Sequence, residues 1–528
     1  MVGLAVALVG VAAGGGGQPV GAWDDASVER AAVAAGATAD ERAGALALHA
    51  RRRGPLWHGA TGVLTPAGGA VVAAVGGLEA HGLARHVYHP PRSPVPADVA
   101  TADVALTVAA LRAMRHLHLG RVDPRTLGFA LPAWAEPHDF AARLEAGLAA
   151  GTPAETIAGM APPLALYRRL TAALARYRQL EAAGAWPPLP PAAATVRPGD
   201  AWPTAALRAR LVALGDLEAS ATADPDGRYD GEVVEGVRRF QRRHGLTDDG
   251  AIGVRTRVAL DVTPSARAWQ IVLALERLRW LPDLGSRRLV AVNVPMFRLW
   301  AWEAPAADDR PALTTAVIVG RAGPTPTPIF ADVMEQVVFR PYWNVPRSIL
   351  AQEVLPAWRR SPGYLDAQHM EIVAGAGDAA RVVAADPAAQ AGLEAGTLRV
   401  RQRPGPHNAL GLVKFDFPND ASVYLHGTPT PQLFARDRRD FSHGCIRVAD
   451  PPALAAWVLG RQREPWTSER IAAAMAGPDN AAVPLDAPID VVIFYLTAVV
   501  MPEDGRVHFA EDLYGHDAAL TRALDASR

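Results

Sequence analysis

A single cysteine, Cys445, stands among 528 residues, so no disulfide can close within the chain and no paired-cysteine metal site can be built. The fold must be held by its hydrophobic cores. Lysine is almost missing: Lys414 is the only one among 53 basic residues, and with the alanine excess this reads as codon bias without functional content. No excess of one charge exists either, 53 basic against 54 acidic residues, which excludes a nucleic-acid tract or polybasic membrane patch as a general basis of binding. No uninterrupted apolar run reaches about eighteen residues, which excludes a polytopic membrane protein. What is present is 50% apolar and 20% charged, the composition of a packed soluble chain. Its length suits three or four folding units of roughly 100–200 residues.

The chain opens MVGLAVALVGVAAGGGGQPV (1–20), an apolar core and four glycines with no preceding Lys or Arg. Its length suits a signal peptide or N-terminal anchor better than a full span, and predicts export to the periplasm or cell envelope. Residues 21–200 are alanine-rich with helical spacing, as in Val104, Val108, Leu111 and Met114, and predict a mainly helical domain. Breaks fall at PPRSPVPAD (90–98) and WPPLPPAAATVRPGD (186–200). A compact unit follows at 203–263. Leu207, Leu211 and Leu214 mark one helix, Val234, Val237 and Phe240 a second that Gly245 ends, and Thr256 to Leu260 a third after the turn DDGAIG (248–253). This segment, with its Phe240-Gln241 pair and glycine turns in order, resembles the peptidoglycan-binding domain of cell-wall hydrolases and transferases. Read alone, the same residues are a small helical bundle.

A connecting helix is predicted over 264–285, with Trp269, Val272, Leu273 and Glu276 to Trp280. Strands take over in 286–500: RRLVAVNVPMFRLWAWE (287–303), TTAVIVG (314–320), DVMEQVVFRPYW (332–343), ASVYLHG (421–427) and DVVIFYLTAVV (490–500) alternate and are rich in Val and aromatics. An interruption at 347–400 is too long for a simple connection and reads as an inserted lid; 501–528 is a C-terminal tail. The fold class predicted is multidomain α+β.

Chemistry concentrates in VYLHGTPTPQLFARDRRDFSHGCIRV (423–448). Acyl transfer needs a thiolate, a base and fixed oxyanion donors, and all can be assembled here. Cys445 supplies the thiol, His426 at a strand end the base, and Arg447 a cation that favours the thiolate. Gly444 lets the backbone approach a substrate, so the amides of Gly444 and Cys445 can face an oxyanion. His443 stands two residues from Cys445, on one face of a strand with it, and suits a polar contact shaping the pocket, or a structural histidine. His426 is preferred to it as base.

This segment, with Ser442 before His443-Gly444-Cys445, resembles the L,D-transpeptidase catalytic motif. The resemblance extends over VIVGRAGPTPTP (317–328), FRPYWNVPRSIL (339–350), QRPGPHNALGLVKFDFPN (402–419) and VVMPEDGRVHFAEDLYGHD (499–517). GPLWHGATG (54–62), EAHGLARHVYHPP (79–91) and LHLGRVDPRTLGF (117–129) resemble the scaffold region of its large periplasmic subtype. The resemblance implies a catalytic β-sandwich in which Cys445 attacks the diaminopimelate carbonyl of a tetrapeptide stem, releases D-alanine, and passes the acyl group to the side-chain amine of a second stem as a 3→3 cross-link. His426 carries over as general base, the backbone at Gly427 as its orienting group, and Arg447 as partner of a substrate carboxylate, with a sheet-end ion pair as its plain alternative. Tyr424, Trp343 and Ser442 line the cleft or belong to its core. Gly427 departs from the acidic residue expected after the strand histidine in this subtype. Carbapenem acylation of Cys445 is a further implication.

No cofactor and no metal are predicted: His81, His86, His89, His116 and His118 lack a carboxylate framework, and i,i+2 pairs on a helix point apart. The partners implied are donor and acceptor stem peptides and a glycan strand gripped by the helical module, with no nucleic acid. RDRRD (436–440) reads as a solvated face that borders the site and attracts anionic stems. Competing readings are a hydrolase using water as acceptor, by which D-alanine or a wall-linked protein leaves, and a non-catalytic wall-binding scaffold. A papain-like protease would place its cysteine early, against what is seen.

Overall fold

The structure, a computed structural model, describes residues 23–59, 61–88, 98–131, 137–184, 186–192, 194–219, 228–282, 284, 287–304, 310–375, 377 and 380–526. The apolar N-terminal segment, His89 and most of the proline-rich break at 90–98 lie outside them. Two compact units are formed.

The first takes Met1–Glu79, Ala84–Leu117 and His138–Met160. It is helical, with α1 (Asp25–Ala34), α2 (Ala39–Arg52), α3 (Pro66–Gly76), α4 (Val99–Leu119), α5 (Phe140–Ala150) and α6 (Pro153–Ala158). Starts are encoded locally. Thr38 and Glu41 form a reciprocal capping box on α2, and Thr65 caps α3 ahead of Pro66. The spaced residues Val104, Val108, Leu111 and Met114 of α4 are all buried. Beside them sits a closed polar cluster. Asp103 accepts the backbone N–H groups of Leu56 (2.7 Å), Trp57 (2.9 Å) and His58 (2.9 Å) and Nδ1–H of His58 (2.7 Å). One turn on, Thr107 accepts from Trp57 Nε1 (2.8 Å), and its hydroxyl lies 2.9 Å from His49 Nε2 and 3.1 Å from the Asp103 carbonyl.

The second unit takes Ala80–Leu83, His118–Pro137 and Ala161–Arg528. It includes α7 (Ala165–Ala182), whose composition groups it with the earlier helices but whose Tyr167, Leu170, Leu174 and Tyr177 share a core with α11 (Pro264–Leu278). Between them lie α8 (Ala205–Leu214), α9 (Gly231–Arg243) and α10 (Val254–Asp261), a three-helix module with Leu207, Leu211, Val237, Phe240 and Leu260 inside. Gln241 explains the ordered turn that follows α9. Its amide donates to Asp249 (3.2 Å) and the Ala251 carbonyl (2.9 Å) and accepts from Gly250 N–H (2.8 Å).

The strand-rich region is built on β1 (Leu289–Asn293), β2 (Arg298–Trp302), β3 (Leu313–Gly320), β4 (Phe330–Phe339), β9 (Val413–Asp416), β10 (Leu425–His426), β11 (Asp440–Ser442), β12 (Ile446–Val448) and β13 (Ala481–Phe494); β5 (Trp343–Asn344), β6 (Met370–Ala374), β7 (Arg381–Val383) and β8 (Arg399–Gln402) form a separate sheet, and β14 (Ala498–Val500) and β15 (Val507–Phe509) a hairpin. The nine strands run in the order β11-β3-β12-β10-β9-β4-β13-β1-β2, and β2 also pairs with β3. The implied sandwich is therefore one sheet closed on itself through the β2–β3 pairing, with β11 left as its edge. Two of the strand-rich runs each hold two strands. Residues 287–303 fold back as the β1–β2 hairpin at Pro295 and at Phe297, whose φ is +51°, and 490–500 splits into β13 and β14 at Tyr495–Thr497. The insertion has a core of its own, in which Leu350, Val354, Leu355 and Trp358 meet Ile372, Leu393 and Val400.

Candidate active site

Period-two alternation assembles the site. β10 and β12 are parallel neighbours with Leu425 opposite Ile446 and His426 opposite Arg447, and β9 runs antiparallel on the other side with Lys414 opposite His426. Leu425, Ile446, Val448, Val413 and Phe415 point into the core. The alternate residues therefore share the opposite face: Lys414 and Asp416 on β9, Tyr424 and His426 at β10, Cys445 and Arg447 at β12.

His426 is buried, and its Nδ1–H donates to the Gly427 carbonyl at 2.6 Å. That bond fixes the tautomer and leaves Nε2 with its lone pair. The Leu410 carbonyl also lies in hydrogen-bond reach. Burial, with Arg447 nearby, pushes the imidazole pKa down to about 3, so the ring is neutral around pH 7. The carbonyl of Gly427 thus does the orienting that an acidic side chain was expected to share. Gly411 makes this possible: it adopts φ +67°, and a Cβ there would stand 2.6 Å from Thr428 N and 2.7 Å from Gly427 C.

The Cys445 thiol is pushed up by burial, while Tyr424, Lys414 and Arg447 pull it the other way, Tyr424 through hydrogen bonds to the sulfur. The sulfur lies 3.7 Å from the Ser422 carbonyl. Ser422 has φ +54°, held by a turn in which Asn419 bonds the Phe417 and Val423 carbonyls and Val423 N–H. No hydrogen bond joins Cys445 to His426; the two share a face and stand two residues out of register. Arg447 has a buried Nε without a partner, and among the described residues no carboxylate pairs with it. An ion pair at the sheet end is therefore not formed. Burial lowers its pKa.

The nucleophile loop is braced from beneath. Ser442 Oγ donates to the Cys445 carbonyl (2.5 Å) and accepts Gly444 N–H (3.2 Å), so Ser442 shapes the loop and the Gly444 amide is occupied. The amide of Cys445 remains for an oxyanion, since no partner for it is found among the described residues. Gly444 adopts φ +116°, and its carbonyl accepts from Thr327 Oγ1 at 2.7 Å. This turn breaks the strand alternation expected for 443 and 445. His443 consequently does not share the face of Cys445: its Nε2 meets Glu353 (2.8 Å) and Arg321 (2.7 Å). Glu353 comes from the insertion; Trp343, on β5 just ahead of it, hydrogen-bonds the Tyr424 hydroxyl through its indole.

Two contributors escaped the sequence reading. Lys414, set aside as a compositional accident, places Nζ 4.3 Å from the Tyr424 ring centroid and 2.9 Å from Asp416. Glu353 lies 90 positions from its partner, and no local pattern announces it.

Comparison with known proteins follows the same division. Residues 287–483 match the L,D-transpeptidase catalytic domain, residues 48–174 the scaffold domain and residues 203–260 the "Putative peptidoglycan binding domain". A Haemophilus influenzae protein named "Putative L,D-transpeptidase" is 30% identical over 257 residues, which are 48% of this chain and 49% of that one. The chain thus spans about half the length of the curated relative it matches. The crystal structure of the L,D-transpeptidase (residues 123-326) from Xylanimonas cellulosilytica covers 58% of this chain and 100% of its own at 18% identity and a TM-score of 0.18, too slight a likeness to carry any argument.

Proposed function

We propose that this chain, which carries L,D-transpeptidase catalytic, scaffold and peptidoglycan-binding domains, forms 3→3 cross-links between peptidoglycan stems through a thioester on Cys445. The observation that carries the reading is one sheet face bearing Tyr424, His426, Cys445 and Arg447, with the guanidinium of Arg447 left without an acidic partner. A half-buried cation of that kind favours a bound carboxylate.

In the empty site the thiol and imidazole are both neutral at pH 7, so attack couples to proton removal by His426 Nε2. The sulfur adds to the carbonyl of the third stem residue, diaminopimelate, and the Cys445 amide receives the developing oxyanion. Collapse breaks the C–N bond to D-alanine, whose nitrogen takes back the proton. The amine of a second stem then loses a proton to His426 and displaces the sulfur, which leaves as the thiol with that proton. Tyr424 and Lys414 stabilise the charged sulfur between these states. A strained lactam presents the same acyl centre, so a carbapenem acylates Cys445. The place of action is the exported side of the cell envelope, where wall biogenesis occurs and where an apolar N-terminal segment serves as leader or anchor.

Mass spectrometry of wild type and Cys445→Ala with disaccharide-tetrapeptide fragments tests the reading. Cross-linked dimers with loss of D-alanine, absent in the variant, are expected. Loss of D-alanine without dimers would make water the acceptor; no change in either protein would return the chain to a binding scaffold.

A further inference from the structure

Away from the catalytic face, a polar cavity of about 350 Å³ opens between the end of α9 and the catalytic region. Its lining is rich in arginine, and the arginines fall into two classes. Arg242 pairs with Asp248 (3.0 Å), Arg255 with Asp437 (3.1 Å) and Glu511 (3.2 Å), and Arg438 with Asp440 (2.7 Å). Arg298, Arg436 and Arg439 have no carboxylate partner among the described residues. Arg439 spends its Nη atoms on the carbonyls of Phe434, Arg436 and Phe297, and its Nε is buried without a partner. Burial lowers the pKa of Arg298 and Arg439; the charge of Arg298 lowers that of Arg439 further, while Glu503 and Asp504 act on Arg298, and Asp437 on Arg439, in the opposite sense. Two neighbouring, partly desolvated cations with no carboxylate in ion-pair contact among the described residues are a cost to the empty protein.

We infer that this cavity is a second binding site, taking the carboxylates of a peptidoglycan stem peptide other than the one reacting at Cys445. The inference deepens the proposed function and rests on it. Arg298 and Arg436 make no side-chain hydrogen bond among the described residues, and a free guanidinium fork matches a carboxylate with two parallel hydrogen bonds. The acidic groups interspersed in the lining, Asp437 and Glu511 among them, oppose a continuous polyanion but suit a stem bearing carboxylates and an amine. The position is also apt. The cavity is walled by the helical module on one side and by residues 435–439 on the other, and the latter run directly into β11 and the Ser442-to-Cys445 loop. Thr247 and Arg255 of the module bond Asp437 of that segment (2.7 and 3.1 Å). A strand held here has one stem docked while a neighbouring stem reaches the nucleophile.

The test compares full-length protein in the Cys445→Ala background, where no turnover occurs, with the same protein carrying Arg298→Gln and Arg436→Gln. Binding is measured to glycan strands bearing stems and to strands stripped of them. Stem-bearing strands should bind the double variant at least tenfold more weakly, and with a shallower salt dependence, while stripped strands bind both proteins alike. The melting temperature of the unliganded variant should rise, because the unpaired, partly buried charge of Arg298 is removed; a merely structural role for these arginines would lower it. Equal binding of stem-bearing strands by both proteins, or equal loss for both kinds of strand, would overturn the site. Displacement by a phosphodiester polymer but not by free tetrapeptide would overturn its ligand. Failure of the proposed function would show differently, as wild-type protein that never acylates on any stem.

Discussion

Two buried polar clusters in this molecule obey opposite rules. Around Asp103 every group is answered: a carboxylate takes three backbone N–H groups and an imidazole, and Thr107 uses both its donor and acceptor capacity. Around Cys445 the accounts are left open. Arg447 lacks an anion, the Cys445 amide lacks an acceptor, and His426 has one nitrogen committed and the other vacant. Satisfied buried polarity fixes one conformation; unsatisfied buried polarity is costly and persists where a ligand completes it. The first cluster is architecture, and the second is a site.

The sharpest separation should come from His426→Gln. It keeps a hydrogen-bonding side chain but loses the proton acceptor, and should lower cross-linking by roughly 10²–10⁴-fold in a turnover assay with stem fragments. Asp103→Ala should act in the other sense, costing about 3–5 kcal/mol of stability in urea unfolding by orphaning several buried donors, while folded molecules still acylate at Cys445. If that variant acylated poorly at full stability, the division drawn here would fail. Gly411→Ala tests geometry alone. Displacing Gly427 moves the carbonyl that orients His426, so turnover should fall roughly 10–100-fold with KM little changed.

Acid brings the two clusters together. His49 and His426 are both held neutral by burial, with pKa values below 6.5, and the unfolded chain binds protons first as pH falls. Their contribution is complete above about pH 6.5 and is lost toward pH 3, so unfolding free energy should decline over that window, less steeply in His426→Gln. The smallest effect expected is in Tyr424→Phe. Losing the hydroxyl that bonds the sulfur should raise the midpoint of Cys445 alkylation by iodoacetamide by less than about one pH unit. An unchanged midpoint would remove Tyr424 from the tuning of the thiol.

Much of this was readable from local pattern. The helix spacing of α4 and α8 to α10, the strand at 313–320 and the Cys445–His426 pair all depend on period or on short motifs, which a chain carries in order. What was not readable depends on distant partners. Closure of β2 onto β3 needs the register of nine strands, and the turn of His443 toward Glu353 needs the fold of an insertion 90 positions away. Lys414 was misjudged for a related reason. Its value lies in standing opposite His426 across a strand pair, which composition does not express.

That same lysine and the lone cysteine have a practical meaning. The chain owns one ε-amino group and one thiol, and both sit on the same sheet face. A short reagent with one amine-reactive and one thiol-reactive end therefore has a single pair of side chains to bridge, and the bridge it makes is a ruler laid across the floor of the candidate site.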